Sequence, residues 1–552
     1  MLRLLWLLAL LLAPIVAAHP DRSSPGARRS PEPVKLVRGL GNHHKPVSTT
    51  NTLAQRFFDQ GLAYVYAFNH QEAVTSFRHA GELDPQLAMA HWGIALALGP
   101  NYNAAELSPV RAKQARSALT RAQALAAHAP ASEQAMIAAL ATRFAEPFDT
   151  DPATAARNYR EAMRALMRRY PDDPDAAVLF ADAAMMLRPW RLWNKDGTPA
   201  EGTLEIVSVL ESVLARDPQH VGANHFYIHA IEGSPHPERA LAAAERLPRL
   251  APAAGHLVHM AAHIYDRVGD HPAAARANAD AAAVDRAYFR QSAASNPYEG
   301  YYAHTLSFLA VSHTQQGRYR AAISAARQFG RQVASTMPGV PGVEGFLPAP
   351  ALINVRFQKW SAVLQLPRPP LIFAGPRAVR HFARGMAFTA RGQIKLGLTE
   401  RMRFDQARSA MPVDEAWGRN LAADVLNIAA ATLDGTLALA RGDHVAAIAF
   451  FETGIAAEDA LEYDEPSPWY LPVREPLGAA LLAQGDATAA EVVFTAELTK
   501  HPRSGRALFG LAAALKAQGK PVEGVEREFV QAWRNADSQP FVGVGGDRRL
   551  KP

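Results

Sequence analysis

The sequence contains no cysteine among its 552 residues. This absence excludes disulfides, thiolate nucleophiles, iron–sulfur clusters and zinc fingers, so any bound metal ion must use histidine nitrogen or oxygen as its ligands. Runs of β-branched residues are rare, which argues against a sheet. The sequence also lacks a phosphate-binding loop, a Gly-x-Ser-x-Gly elbow and a His-Glu-x-x-His motif. These absences exclude the nucleotide enzymes, serine hydrolases and zinc proteases that depend on those motifs.

A strongly basic surface is also missing, although the net charge is +6. Much of the positive charge lies in two short segments, residues 19–45 and residues 547–552, and the chain between them is close to neutral. Nucleic-acid binding usually requires a basic stripe along the fold. The charge pattern therefore predicts no nucleic-acid partner.

The first 18 residues have the pattern of a secretory signal peptide. Arg3 supplies the positive start, Leu4–Leu12 the apolar run, and Val16-Ala17-Ala18 a small-residue cleavage site. Cleavage after Ala18 predicts a periplasmic or secreted protein, with an uncleaved membrane anchor as the alternative. No other segment reaches 18 apolar residues, so no transmembrane span is expected after cleavage.

Helical periodicity begins at Asn51 and recurs with the 34-residue period of a tetratricopeptide repeat. Small residues at fixed slots let the two helices of a hairpin approach closely, and a proline ends the second helix. The sequence therefore predicts an all-α fold, a tetratricopeptide-repeat (TPR) α-solenoid of helical hairpins. The slots are filled by Gly61, Tyr64, Ala73, Phe77, Ala80 and Pro85 near one end, and by Leu477, Gly478, Ala490, Phe494 and Pro502 near the other.

Composition predicts two repeat arrays joined by a proline-rich segment. A short helical piece is expected around Ile353–Leu364 inside this joint. The paired acids Asp172-Asp173 and Asp464-Glu465 lie in proline-flanked turns and are interpreted as capping or solvated residues. The predicted segments are a signal peptide (1–18), a flexible basic linker (19–50), an N-terminal array with a histidine-lined groove (51–334), a Pro/Gly-rich joint (335–376), a C-terminal array (377–536) and a tail (537–552).

Ten of the 20 histidines lie between His220 and His313, and their spacing is regular. One trio, His225, His229 and Glu232, follows the pattern H-x3-H-x2-E. A second trio follows the pattern H-x3-H-x2-D one repeat length later and consists of His259, His263 and Asp266. Spacings of four and three place each trio on one face of a helix. By their repeat slots, both trios are expected to face the concave groove of the solenoid.

Imidazole and carboxylate groups that converge from adjacent helices suit a transition metal such as Cu, Zn, Fe or Ni. Two other interpretations stay open, a histidine-lined groove for a peptide or organic ligand and a set of structural polar contacts. No organic cofactor is predicted. The candidate metal ligands are His225, His229, Glu232, His256, His259, His263 and His304, with Asp266 and His236 as weaker candidates.

Six segments within about 57–320 carry a likeness to known proteins. They are Phe68-Asn-His-Gln-Glu-Ala, Ala90-His-Trp-Gly-Ile-Ala-Leu-Ala-Leu-Gly-Pro-Asn, Leu187-Arg-Pro-Trp-Arg-Leu-Trp, Ala223-Asn-His-Phe-Tyr-Ile-His-Ala-Ile-Glu, Ser234-Pro-His-Pro-Glu-Arg-Ala and Gly255-His-Leu-Val-His-Met-Ala-Ala-His-Ile-Tyr. With these segments the chain resembles a family of exported bacterial TPR proteins that have HxxxH motifs in adjacent repeats. The resemblance implies a shared histidine feature in the groove, with Glu232 a better ligand than Asp266, and it implies no particular reaction.

The sequence therefore predicts an exported TPR binding or interaction protein with a histidine and carboxylate metal or ligand site. One alternative is a metal-dependent oxidase or hydrolase, in which the metal activates water or oxygen and Glu232 is a ligand or base. A further alternative is a metal-free periplasmic scaffold that binds a protein or peptide partner along the groove.

Overall fold

The computed structural model describes residues 34–144, 151–290, 298–336, 346–370 and 372–541. The predicted signal peptide, the end of the tail and part of the proline-rich joint lie outside these residues. The helices are α1 (Thr52–Tyr66), α2 (His70–Leu83), α3 (Ala88–Leu98), α4 (Pro109–Leu125), α5 (Ala131–Ala141), α6 (Pro152–Arg169), α7 (Pro174–Met185), α8 (Thr203–Arg216), α9 (Val221–Glu232), α10 (Leu241–Leu250), α11 (Gly255–Arg267), α12 (His271–Phe289), α13 (Glu299–Gln315), α14 (Tyr319–Thr336), α15 (Ala349–Arg356), α16 (Trp360–Leu364), α17 (Ala374–Ala390), α18 (Ile394–Ser409), α19 (Ala422–Ala440), α20 (His444–Asp459), α21 (Arg474–Gln484), α22 (Ala487–Lys500), α23 (Gly505–Ala517) and α24 (Glu523–Trp533). Short 3-10 turns occur at Ala126–His128, Thr142–Phe144 and Pro237–Ala240, and the strands β1 (Ala416–Trp417) and β2 (Asn420–Leu421) form an antiparallel pair.

Consecutive helices pack as hairpins, and the contacts at the repeat slots show why. The ring of Phe77 on α2 lies against Gly61 of α1 and Gly93 of α3, so closely that a Cβ at Gly61 would stand 2.6 Å from the ring. Phe494 on α22 occupies the same place between Gly478 and Gly510. Each phenylalanine thus joins the two helices of its own hairpin to the next hairpin. The fold is the predicted all-α TPR solenoid.

The turns inside the hairpins use local side-chain and backbone chemistry. Gly442 follows α19 with φ of 80°, a left-handed conformation that costs glycine little and that ends a helix. The carboxylate of Asp443 then accepts a hydrogen bond from the Ala446 N–H at 3.0 Å and caps the start of α20. Gly485 and Asp486 repeat this arrangement between α21 and α22.

The predicted joint contributes directly to the hydrophobic core. Leu352 and Ile353 of α15 are fully buried in the same cluster as Phe382 of α17, and α16 adds Val363. The Arg356 guanidinium at the end of α15 forms a buried ion pair with Glu475 of α21, with 2.9 Å between Nη2 and Oε1. The described residues from Leu36 onward form one compact unit. The boundaries of the two arrays stay a prediction, but a continuous core joins them.

Residues 36–50, where the sequence predicts the end of a flexible linker, instead pack on the solenoid. The Lys45 ammonium donates to Asp173 at 2.7 Å, and the His43 imidazole bonds to Asp175 through Nε2 at 2.9 Å. Asp175 also accepts from the Tyr66 hydroxyl. The sequence interpretation missed these contacts because the acids that hold the segment lie more than a hundred residues away, at the start of α7.

This anchor predicts a pH dependence of stability. Burial lowers the pKa of His43, but the Asp175 carboxylate more than offsets it and the pKa is raised above 6.5, while the pKa of Asp175 lies well below 3.8. The pKa of His43 is higher in the folded state than in the unfolded state. The stabilisation is therefore complete below about pH 6.5 and is lost as the pH rises through the folded-state pKa. In acid it is lost as Asp175 protonates.

The stability lost in His43→Gln is therefore expected to be largest between about pH 4 and about pH 6.5 and to shrink above that range. Urea denaturation of both proteins from about pH 4 to about pH 9 measures the difference in the free energy of unfolding. His44, whose imidazole is exposed and pairs with Asp59, is the matched control site. A loss that did not change with pH would contradict the prediction.

One described helix, α19, has the length and apolar composition to cross a membrane. Its most apolar window is 72% buried inside the structure. The burial of this helix against neighbouring helices accounts for its composition, since core positions favour the same apolar residues.

Candidate metal centre

The two predicted trios lie on α9 and α11, which are adjacent in the solenoid. Their four imidazoles, and that of the neighbouring His256, are buried rather than open to a groove, since each of these five side chains is at most 3% exposed. We call the enclosed cluster the histidine chamber. Its members are His225, His229, Glu232, His256, His259, His263, His304 and Glu465.

Three of these histidines form the first triad, His225, His229 and His256. One ring nitrogen from each lies within 4.8 Å of the others. The ring centroid of His225 is 4.8 Å from that of His229 and 5.0 Å from that of His256. The first triad therefore brings together three donors at a separation that a single ion can span.

The outer nitrogens of the first triad are held by specific acceptors. Nδ1 of His225 donates to the Tyr66 carbonyl oxygen at 2.6 Å, and Nδ1 of His229 donates to Glu232 Oε1 at 2.9 Å. These bonds assign the neutral tautomers that leave both Nε2 lone pairs available, the usual arrangement for metal-bound histidines. Neither Nε2 atom has a hydrogen-bond partner among the described residues, and the same holds for both ring nitrogens of His256.

Burial sets the charge of the first triad. It lowers the pKa of all three imidazoles well below 6.5, and neighbouring histidines lower it further. The rings are therefore neutral at pH 7, which is the protonation state that a metal ion requires.

Aromatic rings close the first triad from the solvent. Phe68 has a left-handed backbone with φ of 55°, and its ring centroid lies 4.6 Å from that of His225 and 5.8 Å from that of His229. Tyr102 and Trp190 cover His229 from another side, at 5.0 and 5.5 Å. A phenylalanine in this conformation is uncommon and strained. Phe68 and Trp190 lie in two of the segments that carry the family resemblance, but the sequence alone gave neither residue a role beside the histidines.

The second triad consists of His259, His263 and His304, whose donor atoms also lie within 4.8 Å of one another. Nδ1 of His259 bonds to Asn278 Oδ1 of α12 at 2.6 Å, and its Nε2 lies 2.8 Å from Nε2 of His263. Burial, together with the charge of His263, lowers the pKa of His304 to about 3. Two ring nitrogens 2.8 Å apart are at hydrogen-bond distance, so one of them carries a proton that it donates to the other.

His263 differs from the other chamber histidines because two carboxylates face it. Its Nδ1 lies 2.8 Å from Glu232 Oε2 and also contacts Glu465. Burial lowers the pKa of His263, but Glu465 and Glu232 more than offset this and raise it to about 10. In the metal-free protein His263 is therefore an imidazolium, which donates from Nδ1 to the carboxylates and from Nε2 to His259.

Glu232 connects the two triads. One carboxylate oxygen accepts from His229 of the first triad and the other accepts from His263 of the second. The side chain is 1% exposed, and burial raises its pKa above the ordinary value of 4.5. A single buried carboxylate thus orients one imidazole in each triad.

The structure brings together seven of the nine predicted residues and separates two. Asp266, one of the weaker candidates, accepts from Nδ1 of His271 at 2.9 Å and does not reach the chamber. His236, the other, is exposed and lies 3.3 Å from Glu238. Asp266 occupies a position homologous to Glu232, but it is turned to α12 by His271 at the start of that helix.

Two chamber contacts were missed at the sequence level. Glu465 lies between α20 and α21, about two hundred residues from His263, and nothing in its proline-flanked turn indicates a contact with the histidines. Asn278 could have been noticed in the sequence, because it is a lone amide side chain in an alanine-rich helix. In the structure this side chain is fully buried. Such a residue requires a polar partner.

A cavity of about 570 Å³ adjoins the chamber. Glu465 forms part of its wall, together with Trp193, Arg267, His271 and Tyr463. The cavity therefore lies on the side of the chamber where the segment between α20 and α21 meets α11, and Glu465 belongs to both the cavity wall and the chamber.

No family model and no curated protein matches this sequence. Among solved structures, the chain is similar to the Cut9–Hcn1 hetero-tetramer of APC/C, with 12% identity over 87% of this chain and 74% of that chain and a TM-score of 0.30. It is also similar to a human IFIT1 dimer, with 12% identity over 89% and 92% and a TM-score of 0.33. A third is the P58(IPK) TPR domain, with 14% identity over 78% and 98% and a TM-score of 0.21. Likeness at this level says nothing about the chemistry of the histidines.

Proposed function

We propose that this protein is a metal-binding TPR solenoid, in which each histidine triad holds one transition metal ion. The observation that carries the proposal is a set of nitrogens in the first triad, namely Nε2 of His225, Nε2 of His229 and the ring nitrogens of His256. They are buried, neutral and close together, and they have no hydrogen-bond partner in the part of the chain that the structure describes.

Unpartnered buried polar atoms are costly, and native structures satisfy nearly all of them. Three such nitrogens in one place would be satisfied together by one ion. Neutral imidazole suits Zn, Cu, Ni and Fe. The Tyr66 carbonyl and Glu232 accept hydrogen bonds from the far nitrogens of two rings, as the groups that orient metal-bound histidines commonly do.

The second triad supports the same function with different proton chemistry. Binding of an ion at His263 Nε2 releases the proton that this atom shares with His259. Asn278 and the two carboxylates keep both rings in place when that proton leaves. The two triads are therefore expected to differ in affinity, with the first binding without release of a proton from its rings at neutral pH.

A metal-dependent oxidase or hydrolase is the second candidate function. The cavity next to Glu465 favours it, because catalysis at a metal requires space for a substrate beside the ion. A peptide bound directly by the chamber histidines is disfavoured by their burial. Export to the periplasm, and binding of a protein or peptide partner elsewhere on the solenoid, stay proposals from the sequence.

The test is elemental analysis of the protein purified without a histidine tag and reconstituted with Zn²⁺ after removal of metal. The wild type is expected to retain two equivalents or more after desalting, and the double variant His225→Ala/His256→Ala one equivalent fewer. His236→Ala, at an exposed histidine outside the chamber, is the matched control and should equal the wild type. A folded wild type with no retained zinc would contradict the proposed function, and circular dichroism establishes that each variant is folded.

A further inference from the structure

Building on the proposed metal-binding function, we propose that Glu232, His263 and Glu465 form a third ion position. It shares His263 with the second triad and faces the 570 Å³ cavity. Its ligand set is one imidazole and two carboxylates, unlike the all-histidine triads. The class of ligand is a divalent first-row ion that accepts mixed nitrogen and oxygen donors, such as Zn²⁺.

The three groups converge on one point. Glu232 Oε2 lies 2.8 Å from His263 Nδ1, Glu465 contacts the same nitrogen, and the three donor atoms lie within 4.8 Å of one another. All three side chains are buried, with Glu465 the most exposed at 7%. Adjacent ligands on a zinc ion are separated by similar distances, because each metal–ligand bond is about 2.0–2.2 Å long.

The two nitrogens of His263 face different sets of ligands. Nε2 faces His259 at 2.8 Å, and Nδ1 faces the two carboxylates. When one ion binds at each nitrogen, the two ring protons of His263 are displaced and released to solvent, and the ring then binds one metal ion through each nitrogen. With the second triad and the third position both filled, His263 is a bridging imidazolate, and its negative charge and those of Glu232 and Glu465 offset the charge of the two ions.

The third position differs from both triads because it draws on both arrays. Glu232 and His263 come from α9 and α11, whereas Glu465 comes from the segment between α20 and α21. The ion would therefore hold the C-terminal array against the N-terminal one.

The cavity beside Glu465 also has the character of a polar ligand site. Five wall residues each have a buried polar atom without a hydrogen-bond partner among the described residues. These atoms are Oε1 of Glu465, Nε2 of His271, Nε of Arg356, Nε1 of Trp190 and the hydroxyl of Tyr463. Glu465 lines the cavity and is also a ligand of the third position. A small polar molecule bound in the cavity would therefore lie next to the ion at this position.

Zinc titration of the full-length, metal-free protein tests the inference. We expect three equivalents to bind to the wild type and two to Glu465→Gln. Glu462→Gln is the matched control, since Glu462 lines the same cavity but pairs with Lys195 outside the chamber, and it should bind three. Two equivalents in the wild type, or equal stoichiometry in the wild type and Glu465→Gln, would overturn the third position alone. No bound zinc in any of them would overturn the proposed function as well.

Copper loading supplies a readout that does not depend on stoichiometry. Two Cu²⁺ ions joined by an imidazolate are magnetically coupled, so the wild type loaded to saturation should show fewer electron-paramagnetic-resonance spins than copper ions. In Glu465→Gln the number of spins per bound copper should rise to one. A wild type with one spin per copper ion at saturation would contradict the bridge through His263.

Discussion

Replacement of Glu232 by glutamine is expected to weaken metal binding at both triads, by about 10- to 100-fold each. The two carboxylate oxygens accept from His229 and from His263, so one substitution disturbs a ring in each triad. A glutamine side chain offers one acceptor oxygen, and its NH₂ group would face the other imidazole N–H. That ring loses the bond that fixes its orientation and tautomer. Competition with a chromophoric chelator measures the affinity of each triad.

The matched control for this prediction is Glu238→Gln. Glu238 also lies beside a histidine, His236, but both side chains are exposed and outside the chamber. Its replacement is expected to leave both affinities unchanged. If Glu232→Gln weakened only one triad, Glu232 would not connect the two as the hydrogen bonds indicate.

Phe77→Ala is expected to lower the free energy of unfolding by about 3–5 kcal/mol. The ring is fully buried and fills the space between Gly61 and Gly93, where the adjacent hairpins meet. Neither glycine has a side chain that can move into the vacated volume, and therefore the cavity will persist. Urea denaturation monitored by circular dichroism gives the loss.

Phe450→Ala provides the comparison for this effect. Phe450 lies on α20 and is 37% exposed, so its truncation is expected to lower the free energy of unfolding by only about 1–2 kcal/mol. A similar loss in both variants would mean that the ring of Phe77 does not join the hairpins in the way the contacts indicate.

The solenoid could be predicted because its determinants are local and periodic. Gly61 with Phe77, and Gly478 with Phe494, recur at fixed slots, and the packing of each pair depends on residues within one or two hairpins. The convergence of the histidines was predictable for the same reason. A separation of one repeat length places His225 and His259 at equivalent positions on neighbouring helices, and the structure brings both into the chamber.

The closure of the chamber could not be predicted in this way. The sequence interpretation placed the histidines on the concave groove and did not identify what covers them, whereas in the structure Phe68 and Trp190 cover the first triad. It treated residues 36–50 as part of a flexible linker, whereas His43 and Lys45 bond to acids at the start of α7. Each of these contacts joins segments from different repeats, and no short-range pattern in the sequence indicates which distant segments come into contact.

The choice between Glu232 and Asp266 shows the same division. Periodicity places both acids at one slot of successive repeats, and helix geometry brings each close to the histidines of its own helix. Only tertiary packing decides what each acid meets. Glu232 lies between His229 and His263, while Asp266 is held by His271, and the second carboxylate at His263 comes instead from Glu465. The sequence therefore determined the repeat, the helices and the histidine-bearing faces, because these follow from spacing along one chain segment. The tertiary structure decided the burial, the protonation and the full ligand set, because these depend on which distant segments come to cover the faces.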